Sequence, residues 1–294
     1  MKEATASPLA VVIPCFNQAH FLAEAIESVL AQSLPPAEVI VVDDGSEDNS
    51  FEVAGRYEGI NRMRQQNSGV AAARNTGWRA TDAEYLLFLD ADDRLLPEAL
   101  QVGAMALRRR PQVAFVSGFS RDIGGDGRAL AGLRQPHVTQ DHYLRLLEDC
   151  FIWSGSSIVY RRAALESVDG FDEQLTAADD YDLYLRLARR YPIFCHQEFV
   201  TEYRRHGTNT TRDPGVVLHS QLEVLSRQRI DVRDDRERQA RKRGVDKTRR
   251  EHGGALVERI VDSWRRRERQ RALRGMQILV RHDPQGLVHL LGAR

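Results

Sequence analysis

Apolar residues recur along the first hundred positions in two alternating rhythms. "LAVVI", Leu9 to Ile13, is an unbroken apolar run that reads as a buried strand. "FLAEAIESVLAQ" follows, with Phe21, Leu22, Ala25, Ile26, Val29 and Leu30 at helical spacing. "EVIVVDD" is apolar again, "GVAAARNTGWRA" is helical in texture, and "EYLLFLD" is a third strand. Strand, helix, strand, helix, strand predicts an α/β fold: right-handed crossovers and an open, mostly parallel sheet with helices on both faces. Ligands bind such sheets beyond the carboxyl ends of the strands. Acids fall at those ends, Asp43 and Asp44 after "EVIVV" and Asp90, Asp92 and Asp93 after "YLLFL".

From Pro111 to His206 the chain carries "VAFVSGF", a glycine-rich turn "GGDGR", and a helix in "AADDYDLYLRLARR". Leu183, Leu185 and Leu187 are among that helix's apolar positions, and acids stand at its start as the helix dipole favours. Beyond Thr211 the texture changes. Charges of both signs crowd the chain to about Thr248, and then "ALVERIVDSWRRRERQRALRGMQILV" places Leu256, Ile260 and Trp264 on one helical face, followed by a second set, Leu273, Met276 and Val280. Residues 212–294 are therefore expected to form a charged helical C-terminal extension to a domain spanning 1–211. Such helices pack on their own domain, pair with a second chain as a homodimer, or lie on an anionic membrane with arginines toward the headgroups.

Composition narrows the partners. The 294 residues are 42% hydrophobic, enough for a substantial core, and 42 basic side chains balance 42 acidic ones. Zero net charge gives no global attraction to nucleic acid, so partners must be sought in local sites. Cys15, Cys150 and Cys195 form no C-x-x-C pair and argue for a reducing cytoplasm over a disulfide framework. No stretch approaches the roughly twenty apolar residues of a membrane span, so any membrane contact is expected to be peripheral, at the inner face.

Three carboxylates in "DADD" repel one another unless something positive sits among them. Two acids one residue apart at a strand end can aim their oxygens at a common point, and Mg²⁺ or Mn²⁺ suits an oxygen-rich site that keeps positions for water. The alternative is that these acids cap the helix in "PEALQVGAMALRRR" or lie solvated in a turn.

The ordered set "VVIPCFNQAHFLAEAIESVLAQSLPPAEVIVVDDGSEDNS", "QQNSGVAAARNTGWRAT", "YLLFLDADD", "VDGFDEQLTAADDYDLYLRL" and "YRRHGTNTT" resembles family 2 of the nucleotide-sugar glycosyltransferases, with the GT-A fold, over about Leu9 to Thr211. The resemblance implies a nucleotide-binding part over about 9–110 and an acceptor-binding part over about 111–211. It implies that Pro14, Phe16 and Asp44 contact the nucleotide, with Asp44 accepting hydrogen bonds from the base. Asp43 and Asp44 could otherwise form an Asx turn before Gly45. Arg74 matches a basic position that either meets phosphate or braces the acidic cluster. Asp90, Asp92 and Asp93 match the D-x-D region, where aspartates hold the donor ribose and a metal bridging the two phosphates. His206 matches a histidine near that metal. The family's acid pair at a helix start falls on Asp179 and Asp180, where Glu-Asp is usual. Asp180 is expected to be the general base, with helix capping as the alternative. Trp153 and the loop Gly170, Phe171, Asp172 fall where the family lines its acceptor pocket.

The implied activity is inverting transfer of one sugar from a nucleotide diphosphate donor to a hydroxyl of a glycan or lipid-linked acceptor, in bacterial polysaccharide or glycolipid assembly. Processive relatives carry a Q-x-x-R-W segment that this chain lacks. A sugar nucleotidyltransferase would carry a glycine-rich signature after the first strand, where this chain has "PCFNQAHF". A non-catalytic sugar-nucleotide-binding protein would have lost an acid, and every acidic position is filled. P-loop and G-x-G-x-x-G patterns are absent.

Overall fold

The computed structural model describes residues 7–131, 135–207, 209 and 212–284. The chain divides into two compact units, residues 1–142 with Phe151–His206, and Tyr143–Cys150 with residues 207–294. Thr211, the expected domain boundary, lies outside the described residues, as do Thr208 and Thr210 of "YRRHGTNTT".

The first unit contains β1 (Leu9–Cys15), α1 (Ala19–Leu30), β2 (Glu38–Asp43), α2 (Ser50–Ala54), β3 (Ile60–Arg64), α3 (Val70–Arg79), β4 (Tyr85–Phe88), β5 (Arg94–Leu95), α4 (Ala99–Arg108) and β6 (Phe115–Gly124). After α5 (His142–Glu148), which belongs almost wholly to the second unit, come β7 (Ile158–Arg161), α6 (Arg162–Glu166), α7 (Asp179–Arg190) and β8 (Phe194–Arg205). The strands form one eight-stranded sheet in the order β3-β2-β1-β4-β7-β6-β8-β5. β3, β2, β1 and β4 run parallel, as the alternating pattern predicts. β7 then enters antiparallel between β4 and β6, while β6 and β8 are parallel.

β1 is apolar throughout because both its faces are covered. Leu9, Val11, Ile13 and Cys15 join a core with Leu22, Ile26 and Val29 of α1 and Leu100 and Leu107 of α4. On the other face Val12 meets α3 so closely that a Cβ on Gly77 would lie 2.2 Å from Val12 Cγ1. The N-cap residues of α1 and α4 make no side-chain capping bond of their own; Asp48 accepts from the Ala19 N–H and Gln32 from the Leu100 N–H instead, and the buried stripes add about 1.5–3 kcal/mol per fully buried Leu or Ile. Leu30, expected on the α1 stripe, is exposed at its last turn. Pro14 falls beyond the last β1 residue paired with β4, where a missing N–H disturbs the ladder least.

The second unit is helical: α5, α8 (Pro214–Arg227), α9 (Asp235–Thr248), α10 (Gly254–Arg265) and α11 (Arg269–His282). Asp213 caps α8 by accepting from the backbone N–H groups of Gly215 and Val216, with Pro214 in the first turn. Leu218, Leu222, Leu256, Ile260, Ala272 and Leu279 form its core. The expected apolar face is thus half right. Leu256 and Ile260 are buried, but Trp264, Leu273 and Val280 are exposed, and α11 buries Ala272, Gly275 and Leu279 instead. The reason is close packing: a Cβ on Gly275 would lie 2.6 Å from Ile260 Cγ1, so α11 turns its small residues inward. Among the described residues no helix is long and apolar enough to cross a membrane.

Candidate active site

Each aspartate after β4 has its own partner. Asp90 Oδ1 accepts from Arg74 Nη2 at 2.7 Å, and Asp92 Oδ2 hydrogen-bonds His206 Nε2 at 2.7 Å. Asp93, 1% exposed, accepts from the Arg204 backbone N–H at 2.9 Å through Oδ1 and from the Ser156 hydroxyl at 2.7 Å through Oδ2. Burial, then the charge of Asp90, raises the pKa of Asp92, with His206 opposing. Burial, then Asp92, raises that of Asp93 much further. Asp92 and His206 therefore bond each other, while Asp93, expected beside them as a metal ligand, points into the protein and ties the loop to β8. Among the described residues no group of three His, Cys, Asp or Glu side chains is placed to hold a metal.

Arg74, buried on α3, also donates to Asp179 Oδ2 at 2.6 Å through Nη1. Burial alone would weaken its hold on the proton, but Asp179 and Asp90 keep its pKa well above the usual guanidinium value. Its Nε is buried with no hydrogen-bond partner. Arg74 thus spans the two acidic groups, the bracing role among its expected alternatives. Asp179 and Asp180 open α7 behind Ala178, whose φ of 58° is costly for a residue with a Cβ, roughly 1–3 kcal/mol. Asp180 Oδ1 accepts from the Tyr181 N–H at 2.7 Å, and Oδ2 accepts from the Tyr184 hydroxyl at 3.3 Å. Burial, then the charge of Asp179, pushes the Asp180 carboxyl up to about 6.

At the end of β2, buried Asp44 fastens the next loop. Oδ1 accepts from Gln65 Nε2 at 2.7 Å and the Ser68 N–H at 2.9 Å, and Oδ2 accepts from the Gly69 N–H at 2.8 Å. Asp43 accepts from the Ser46 N–H at 3.0 Å and pairs with Arg64, closing the turn. Phe16, 45% exposed just past β1, offers a free ring face.

The loop expected to line an acceptor pocket divides. Asn75 Nδ2 donates to the Phe171 carbonyl and Glu173 Oε1, both at 2.8 Å, while its Oδ1 accepts from the Phe171 N–H at 3.0 Å. Phe171 is buried, edge-on to Phe88 at 4.9 Å and 5.3 Å from the Arg74 guanidinium, so it supports the arginine and does not face solvent. Gly170 is a backbone requirement: its φ is +68°, and a Cβ there would lie 2.6 Å from Asn75 Oδ1. Asp172 is half-buried and holds the Gln174 N–H, and Trp153 remains partly exposed. Gly170→Ala is expected to cost about 1–3 kcal/mol. An unchanged urea midpoint would show that the loop relaxes freely.

The Glycosyl transferase family 2 model matches residues 10–169, more than half of the chain. The chain belongs to glycosyl transferase family 2. It is 28% identical over 218 residues to chondroitin synthase of Pasteurella multocida, covering 69% of this chain and 21% of that protein. It is 32% identical over 213 residues to an uncharacterized glycosyltransferase of Nostoc, covering 68% of this chain and 66% of that one. The chain thus spans about a fifth of the length of the synthase. Among solved structures it resembles S. aureus TarS 1-349 in complex with UDP, with TM-score 0.65, 20% identity and coverage of 84% and 74%. It also resembles the mannosyltransferase PcManGT of Pyrobaculum calidifontis in complex with GDP-Man and Mn²⁺, with TM-score 0.62, 17% identity and coverage of 99% and 80%. The fold is GT-A.

The acid loop after β4 also rests on residues that gave little signal in the sequence. Arg204, fully buried on β8, donates through Nε to the Asp92 carbonyl and through Nη2 to Glu24 Oε2, both at 2.7 Å, and lies over Phe21. Arg94 joins Glu24 at 3.0 Å to Glu202 at 2.7 Å. "YRRHG" carries Arg204 two residues before His206, a spacing that puts both on one side of a strand. Glu24, on a helix surface, gave no such signal.

Proposed function

We propose that the chain is an inverting glycosyltransferase that moves a single sugar from a nucleotide diphosphate sugar to a hydroxyl of a glycan or lipid-linked acceptor. The observation that carries this is the sorting of acids around Arg74. Asp90 and Asp179 share its charge, while the adjacent Asp180, without a direct cationic contact, keeps a carboxyl poised near 6, suited to a general base at neutral pH. Asp180 takes the acceptor hydroxyl's proton as that oxygen bonds to the anomeric carbon. The bond from that carbon to the phosphate oxygen breaks, and the nucleotide diphosphate leaves with the electron pair. One base and one displacement invert the anomeric centre.

Asp92 Oδ2 and His206 Nε2 are hydrogen-bonded at 2.7 Å, and by giving up that bond and its proton they would supply one carboxylate oxygen and one imidazole nitrogen to Mn²⁺, or to Mg²⁺ with more water, when diphosphate supplies the remaining ligands. Such an ion would neutralise charge developing on the leaving diphosphate. Phe16, Pro14 and Asp44 frame the base, with Asp44 acting through the loop it fastens as well as through its free lone pair. Ribose falls to Asp90. Relatives solved with UDP, UDP-GlcNAc and GDP-Man support a nucleotide-sugar donor, and the synthase relatives support polysaccharide assembly. The proposed location is the cytoplasm, with peripheral contact at the inner membrane face.

Incubation with UDP- and GDP-sugars should reveal Mn²⁺- or Mg²⁺-dependent donor hydrolysis that EDTA stops and Asp92→Ala lowers by about 10²-fold or more. Full activity in EDTA would remove the metal from the reading. Retention at the anomeric carbon of the product would remove the single displacement.

A further inference from the structure

In the second unit, the start of α8 together with α10 and α11 encloses a cleft of about 830 Å³ whose walls and floor differ sharply in chemistry. Its floor is apolar, with buried Leu256 and Ile260 beside Ile278. Around it stand five arginines against two acids. Both acids are already engaged, Asp213 with Arg259 at 3.0 Å and Glu268 with Arg271 at 3.3 Å. Arg267, Arg269 and Arg274 are left with no side-chain partner among the described residues. Arg267 is held in the left-handed region, φ 62°, at the turn joining α10 to α11.

We propose that this cleft binds a lipid phosphate, with the headgroup between Arg267 and Arg274 and the first carbons of the chain on Leu256, Ile260 and Ile278. Guanidinium groups pair with phosphate oxygens in fork geometry, and uncompensated ones favour an anion. A soluble phosphate would leave the apolar floor wet, and a neutral lipid would leave three arginines without counter-charge. Only a ligand with both parts uses both surfaces. The cleft is not the apolar stripe of α11. Leu273 and Val280 lie on another face of that helix, 53% and 59% exposed, and provide an internal control.

The test is co-sedimentation of the full chain with phosphatidylcholine vesicles, with and without phosphatidic acid. Pelleting should require phosphatidic acid, weaken with salt, and fall about tenfold or more in an R267A/R274A double variant, while donor hydrolysis is unchanged. An L273S/V280S variant should pellet like the parent. Equal pelleting of the arginine variant, or loss of pelleting only in L273S/V280S, would overturn the proposal. So would calorimetric binding of inorganic pyrophosphate to the cleft without any vesicle binding, because the site would then be one for soluble phosphate.

Discussion

Asp180→Asn is expected to leave the donor KM within about twofold while lowering transfer by about 10²–10⁴-fold, the usual worth of acid–base assistance. The amide keeps the shape and can still accept from the Tyr181 N–H, so the start of α7 should persist. It cannot take a proton. The pH profile supplies a second signature. The carboxyl, raised to about 6 by burial and Asp179, works only when ionised, so the parent rate should be flat above that value and fall roughly tenfold per unit below it. The residual rate of the variant should lack this limb. Transfer at the parent rate would move the base to Asp179, although the 2.6 Å bond from Arg74 makes that carboxylate the poorer acceptor.

The second large effect is expected at Arg74. Arg74→Met fills much of the space but leaves Asp90 and Asp179 without their cation, and Asp179 is buried. Breaking a buried ion pair from one side costs about 3–5 kcal/mol, much more than an exposed pair. Urea midpoints of parent and variant at neutral pH measure this. A midpoint within error of the parent at neutral pH would mean that the acids find other partners.

Much of this site was legible because strand ends were legible. Continuous apolar runs in β1, β2 and β4 located the carboxyl edge of the sheet, and Asp44, Asp90 and Asp92 follow the strands that end there. Side-chain direction was not legible. Asp92 and Asp93 are consecutive, yet one meets His206 and the other is consumed by Arg204 and Ser156. Adjacency in sequence says nothing about which way a turn aims each residue. Phe171 failed for a related reason: Asn75 pulls its backbone inward from 96 positions away. In the tail, hydrophobicity pointed to Leu273 and Val280, but the distance of approach between helices is set by their smallest residues, and Gly275 faces the partner.

The partners of the acid loop arrive late in synthesis. Arg204 lies 111 residues after Asp93, and His206 lies 114 after Asp92. At 5–20 residues per second a ribosome needs roughly 5–20 s to make that interval. Until its end Asp92 lacks His206 and Asp93 has only Ser156, made 63 residues after it, and for the first part of the interval β4 lacks β7 along one edge. An emerging chain therefore exposes an open strand edge beside mutually repelling carboxylates, a species that invites chaperone capture and improper pairing. The N-terminal half is for the same reason not a portable module: the strand that completes its acid loop is the last one among the described residues.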